Sequence, residues 1–248
     1  MSVTWLVSRR MEPIPADLLA REMLLGTATT RPDGSLVTSR PDGPQAHLAT
    51  QGAATAPLPT HFHGVDQFQY FTDGSGTVGG HHVAPGIVHY TDRLTVYGPL
   101  RAGADGMAYL ALRPAHDPGA SFMPRSRQSL TRLLARSPRH ASDRRNLTVD
   151  LRGSLGAQRG TWIDLVEEPD ELRVAVCVVE AGAATEPVTV AGAGAYAVVV
   201  EGTVDDQAGP LGVGALAWCS RDDTLAAGAV ADHTRLALLQ FPKGASPA

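Results

Sequence analysis

The side chains best placed to do chemistry in this chain are histidines. Nine occur, and five of them, His61, His63, His81, His82 and His89, crowd into one short stretch. The tightest pair is His61-Phe62-His63. In an extended strand residues i and i+2 point to one face, so the two imidazoles project side by side. Two neutral imidazoles on one face begin a site for Fe, Mn, Ni, Cu or Zn. Gln67 follows closely, and its amide reaches the same point if the strand continues or turns back as a hairpin. Other chemical signatures are missing. The stretch 74–80, GSGTVGG, has no phosphate-cradling Lys and reads as a hairpin turn. There is no G-x-S-x-G and no convincing Ser-His-Asp or Cys-His set. The catalytic residue therefore stays unassigned, with Tyr97 or an unligated His89 the only suggestions for a base.

Short strands must hold these groups. The chain has 248 residues, with 26 Gly and 18 Pro, and 43% of it is apolar. Turn formers recur throughout, which argues against long helices. The length suits one large domain or two small ones. Between 61 and 112, β-like runs alternate with Gly-containing turns, and the pattern returns after 160 in ELRVAVCVVE, AYAVVVEG, LGVGALAWC and TRLALLQF. SLVTS, between the turn signals at 32–34 and 41–43, also reads as a strand. Helices are expected over 12–25 and in SRQSLTRLLAR, where Leu130, Leu133 and Leu134 follow helical spacing.

Net charge is −4, so no global electrostatic case exists for a nucleic-acid or membrane partner. Cys177 and Cys219 have no short spacing and read as buried thiols in a reducing compartment. No secretory signal opens the chain and no window is apolar for long enough to span a bilayer, so the cytoplasm is the expected location. The stretch 121–160 holds nine Arg against Asp143 and Asp150. It reads as a solvated linker helix, or as an anion-facing lid or subunit contact.

The two β-rich halves align without gaps at one constant offset. Phe71-Thr-Asp-Gly74 falls on Val199-Val-Glu-Gly202, Gly86 on Gly214, and Tyr90 on Trp218. Strict Gly spacing matters because tight turns often need a positive φ that Gly adopts cheaply. Two similar β units joined by a helical linker imply duplication.

The histidine motif resembles the first motif of the cupin superfamily, which reads H-x-H, three or four residues, Glu, six residues, Gly. Here it is His61-x-His63, Gly64-Val65-Asp66, Gln67, six residues, Gly74. The spacing matches, but a neutral Gln stands where Glu is usual, so the site loses a charge. For the second motif, Gly86-Ile87-Val88-His89 fits G-x-x-H with Pro85 one place off. In the register that the repeat favours, Pro85-Gly86 is instead a turn, and the third ligand position falls near Val96-Tyr97-Gly98. Either His89 or Tyr97 then completes the site. The resemblance covers 45–115 and 160–242.

It implies an all-β chain of two cupin (double-stranded β-helix, jelly-roll) barrels joined by a partly helical Arg-rich linker. Residues 1–120 would form a metal-bearing barrel, 121–158 the linker, and 159–248 a degenerate barrel. One divalent transition metal is implied, Fe first and Mn, Ni, Cu or Zn as alternatives, on His61, His63, Gln67 and His89. In the alignment of the halves these fall on Thr189, Ala191, Ala195 and Ala217, so the second half is expected to be structural or dimerising. Alternation puts Gln69 and Phe71 in the pocket with Gln67, and Phe68 and Tyr70 outside it. An inward His89 brings Thr91 and Arg93 with it. Arg93 is then a clamp for a substrate carboxylate, or a rim Arg paired to Asp92 or Asp66. Tyr97 is also expected in the pocket, and His81 and His82 in a surface turn.

The implied function is a mononuclear non-haem dioxygenase or other oxidoreductase acting on a small organic substrate, a carboxylate or an aromatic. The alternatives are a cupin-type isomerase or lyase, and a non-catalytic small-molecule-binding cupin. Family resemblance also suggests a homodimer.

Overall fold

The computed structural model describes residues 5–6, 13–25, 28–30, 36–38, 43–137, 145–153, 159–206, 209–228 and 233–244, with 28–30, 36–38 and 206 described as backbone only. The expected turn at Pro32-Asp33-Gly34, and Arg139 and Arg144 of the Arg-rich stretch, lie outside these residues. The chain divides into two compact units, Arg10–Val149 and Asp150–Ser246, the second including Met1–Arg9.

Twelve strands build the main sheets: β1 (Trp5–Leu6), β2 (Leu19–Leu25), β3 (Gln45–Gln51), β4 (Gln67–Val78), β5 (Ile87–Thr91), β6 (Leu100–Arg113), β7 (Asn146–Asp150), β8 (Ile163–Glu167), β9 (Arg173–Val179), β10 (Ala195–Glu201), β11 (Leu216–Cys219) and β12 (Thr234–Gln240). In the Arg10–Val149 unit the order is β7-β5-β4-β6-β3-β2, with the short strand His81–Val83 also on β4. In the other unit it is β1-β11-β10-β12-β9-β8. The two orders match strand for strand.

The repeat extends to individual hydrogen bonds. Gly86 N–H donates to Phe71 O at 3.0 Å, and at the aligned positions Gly214 N–H donates to Val199 O at 2.9 Å. Ile87 N–H to Ala84 O and Ala215 N–H to Gly212 O, both 3.0 Å, form the second matched pair. The turn glycines match too, with φ of 62° at Gly74 and 75° at Gly202.

The helix expected over 12–25 is instead the edge strand β2, which pairs antiparallel with β3 from Leu19↔Gln51 to Leu25↔Ala46. Its leucines and Met23 suit a helix by propensity, but the open edge of β3 supplies hydrogen-bond partners that outweigh it. The other expected helix forms as α1, Arg127–Leu134, with no residue of it buried. His81 and His82 are exposed, in a short strand after the Gly79-Gly80 turn rather than in the turn itself.

Register explains which side chains share an interior. In the first unit Met23, His47, Ala111, Gln69 and His89 lie opposite one another across five strands. Directly opposed residues in antiparallel strands share a face. One end of that face is apolar, with Phe71, Tyr109 and Met107 packed together, and the other carries Gln67, Gln45 and Arg113. In the second unit the matching face reads Ala175, Ala195, Ala197 and Leu238, buried with Val190, Cys219 and Leu225 in one apolar cluster.

A Cβ on Gly74 would lie 2.2 Å from the Gly106 carbonyl oxygen, whereas one on Gly80 meets nothing within 4 Å. Left-handed backbone costs an L-residue about 1–2 kcal/mol, and the clash adds to it. Gly74→Ala should therefore lower the melting temperature by several degrees, while Gly80→Ala leaves it unchanged. Equal effects in thermal unfolding would show that this turn does not depend on its glycine.

Candidate functional site

His61 occupies a two-residue strand, His61–Phe62, that pairs with Ser121–Phe122. Its backbone also bridges to Tyr97, with His61 N–H to Tyr97 O at 3.1 Å and Tyr97 N–H to His61 O at 3.0 Å. The bridge sets the His61 and Tyr97 rings 4.5 Å apart. The His63 ring stands edge-on to His61, with centroids 5.2 Å apart. Both imidazoles line a small cavity that is partly open to solvent, together with Arg21, Gln45, His47, Gln67, Gln69, Tyr97, Arg113 and Asp117.

Donors and acceptors in the site fall into one ordered chain. His61 Nδ1–H donates to Pro59 O at 2.7 Å, leaving Nε2 to accept the Tyr97 hydroxyl at 3.0 Å. Gln67 Nε2 donates to the Tyr97 oxygen at 2.8 Å, and Gln67 Oε1 accepts from Arg113 Nε at 2.8 Å. The Arg113 guanidinium lies 3.7 Å from Asp117 Oδ2, which also accepts His63 Nδ1–H at 2.6 Å. Gly64 N–H and Gly119 N–H complete the Asp117 carboxylate. A carboxylate on one imidazole nitrogen fixes the tautomer and leaves the other nitrogen as the lone pair.

Burial keeps these imidazoles uncharged. His61 is pushed down to about 3, by burial first and His63 second. His63 is lowered by burial and Arg113 against the pull of Asp117. His47 lies well below its ordinary value for the same two leading causes, burial and Arg113. Burial would raise the Asp117 carboxyl, but Arg113 and His63 outweigh it and hold it ionised. Burial also pushes the Tyr97 hydroxyl up, so it stays protonated.

Of the residues expected from the sequence, His61, His63, Gln67, Gln69 and Tyr97 line this cavity and His89 does not. His89 lies opposite Gln69, its Nδ1 bonded to the Thr148 hydroxyl at 2.9 Å. Phe71 is buried in the apolar end, 5.3 Å from the Tyr109 ring. Thr91 is buried opposite Gln67. Arg93 is not among the cavity residues, and its backbone N–H donates to Asp66 Oδ1 at 2.6 Å. Asp92 pairs with Arg145, at 3.0 Å. Sequence reasoning missed Arg113, Asp117, Gln45 and His47. Carrying the strand alternation of MAYLALR to its end would have aimed Arg113 inward.

The donors as arranged do not make a full metal centre. Among the described residues no group of three or more His, Cys, Asp or Glu is placed to hold a metal ion. The one ligating atom of Gln67 accepts from a guanidinium, whose charge repels a cation, and His61 Nε2 accepts from Tyr97. Of the expected ligands the neutral imidazoles of His61 and His63 remain, with His47 a third neutral imidazole in the lining.

These buried histidines predict an acid-labile unit. His61 protonates at about 3 and His89 at about 4 in the folded chain, against 6.5 in the unfolded one. The unfolded state therefore binds more protons below pH 6.5, and stability falls with pH there. The loss approaches about 1.4 kcal/mol per pH unit for each histidine. The melting temperature should drop between pH 7 and pH 4.5, and less in His89→Gln. A flat profile in calorimetry would contradict the buried neutral state.

No protein-family model matches the chain, and no curated protein matches it. Solved structures do. A cupin 2 conserved barrel domain protein from Leptotrichia buccalis superposes with a TM-score of 0.50 at 12% identity, over 97% of this chain and 98% of that one. A putative dioxygenase from Nostoc punctiforme gives 0.52 at 10% identity, over 79% and 68%. An oxalate decarboxylase gives 0.54 at 11% identity, over 94% and 80%. No helix among the described residues is long and apolar enough to cross a membrane. With strand order, interior alternation and these likenesses in agreement, the chain has the cupin-barrel fold.

Proposed function

We propose that the Arg10–Val149 unit binds a small organic carboxylate in its cavity, and that the chain is a two-barrel cupin whose second barrel is filled and siteless. The carrying observation is the charge of the cavity. Arg113 and Arg21 line it, its imidazoles are neutral, and the one carboxylate among its described lining residues, Asp117, offsets Arg113 alone, leaving one positive charge over. A positive surplus in a recessed pocket favours an anion, and a guanidinium fits a carboxylate in particular. The Tyr97 hydroxyl and the lone-pair nitrogen of His63 add polar contacts that orient it. The two-barrel part rests on the matched strand orders and on the turn hydrogen bonds repeated at aligned positions of the two halves.

A second reading keeps the metal-dependent dioxygenase suggested by His61-x-His63, and the paired neutral imidazoles favour it. It requires Gln67 to leave Arg113 and Tyr97 to leave His61.

Two experiments separate the readings. Calorimetric titration with acetate, butyrate and benzoate should find binding that falls roughly 10- to 100-fold in Arg113→Gln, the loss of one charge-assisted hydrogen-bonded pair. Arg113→Lys, which keeps a charge beside Asp117, guards against misfolding and should bind weakly. Absence of any carboxylate binding, or equal binding in these variants, would refute the proposal. Metal analysis after incubation with Fe(II), Mn(II), Ni(II), Cu(II) or Zn(II) is expected to give well under one equivalent. One full equivalent, lost in His61→Ala/His63→Ala, would establish the metal reading instead.

A further inference from the structure

The same cavity has two polar atoms with nothing to bond. Gln69 Oε1 and His47 Nδ1 are enclosed and without a hydrogen-bond partner. Their residues are 2% and 6% exposed, and both line the cavity. Native interiors rarely leave such atoms orphaned, and a bound ligand or water is one arrangement that satisfies them; His89 Nε2, Thr95 Oγ1 and Arg235 Nε lack a hydrogen-bond partner too, but none of these residues lines the cavity. The register shows why these two belong together. Ala111 on the central strand β6 lies directly opposite His47 on one side and Gln69 on the other. All three share one row of the inner face, and the alanine methyl is too short to cover its neighbours. Gln69 also bonds the Tyr109 hydroxyl through its amide, so whichever way the amide is turned, one of its polar atoms stays open.

We infer that this row is a hydroxyl subsite, so that the acid held beside Arg113 is a hydroxy acid. A hydroxyl is a small group that both donates and accepts. With the proton of neutral His47 on Nδ1, a hydroxyl between the two donates to Gln69 Oε1 and accepts from His47 Nδ1–H. Arg113 follows Ala111 by two positions on the same face, ~7 Å along the strand. A carboxylate at Arg113 and a hydroxyl over Ala111 are therefore separated by a short carbon chain. The matching interior of the second unit has Ala175 and Ala197 where His47 and Gln69 stand in the first, so nothing in the shared fold demands polar residues there.

The inference rests on the carboxylate reading, and the experiment keeps the two apart. Matched pairs are titrated calorimetrically into the full chain: glycolate and acetate, 3-hydroxypropionate and propionate, 4-hydroxybutyrate and butyrate. At least one hydroxy acid should bind ~10-fold or more tightly than its partner, because a site built to bond a hydroxyl rejects the analogue lacking it. Gln69→Leu should bring the affinity for that hydroxy acid down to that of the deoxy acid. His47→Phe, close in shape, reads the same loss should the leucine variant fail to fold. Equal binding within every pair would mean that the two atoms hold a resident water only, overturning the subsite while the carboxylate reading stands. Binding of none of the six acids would overturn both.

Discussion

A guanidinium taken out of water dominates the first unit. Arg113 is 6% exposed, and a buried charge of this kind persists only when neighbours neutralise it and bond its protons. Asp117 supplies the opposite charge, Gln67 a neutral acceptor. Each of these is then fixed by its own remaining partner, Asp117 by His63 and Gln67 by Tyr97. Tyr97 in turn donates to His61 Nε2, the nitrogen that the Pro59 carbonyl leaves with a lone pair. The two imidazoles that look from the sequence like ligands awaiting a metal are thus the outer members of a network centred on an arginine. The cavity is polar because of that arrangement, and its sign follows from it.

Strand order and turn hydrogen bonds repeat across the two units, yet the interiors differ. The same backbone positions carry Gln67, Gln69 and His47 in one and Ala195, Ala197 and Ala175 in the other. Small apolar residues allow the second sheet to close on itself with leucine and valine, which buries area without any polar group to satisfy. The first unit gives up that simplicity for a cavity. One interior carries a buried apolar cluster and the other a polar cavity.

Much of this was legible in the sequence. Alternation from His61 through Phe71 placed Gln67 and Gln69 on the inner face and Phe68 and Tyr70 on the other. Gly74 and Gly202 marked equivalent turns because a positive φ leaves little choice of residue. Three things were not legible. The segment 12–25 suits a helix by propensity, and the free edge of β3 makes part of it a strand. His89 shares a row with Gln69, but Thr148, from the Arg-rich stretch, takes its Nδ1. Arg113 and Asp117 lie far along the chain from the histidines they govern; alternation aims Arg113 inward, but nothing local pairs it with Asp117 or with those histidines.

The edge strands of the two sheets come from unexpected places. Trp5–Leu6 pairs with β11, Trp5 opposite Ala217 and Leu6 opposite Leu216, while the matching edge of the first unit is β7, just before the second unit begins. The strand Trp5–Leu6 is made before the first unit and waits through its entire synthesis before a partner exists. Until then its hydrogen-bonding groups stay bare, the kind of edge through which chains pair wrongly with one another. Cutting the chain near residue 150 would not yield two whole sheets, since the second would lose its outermost strand. The order of the chain and the order of the folded units are interlaced, and two matched units have become dependent on a single continuous polypeptide.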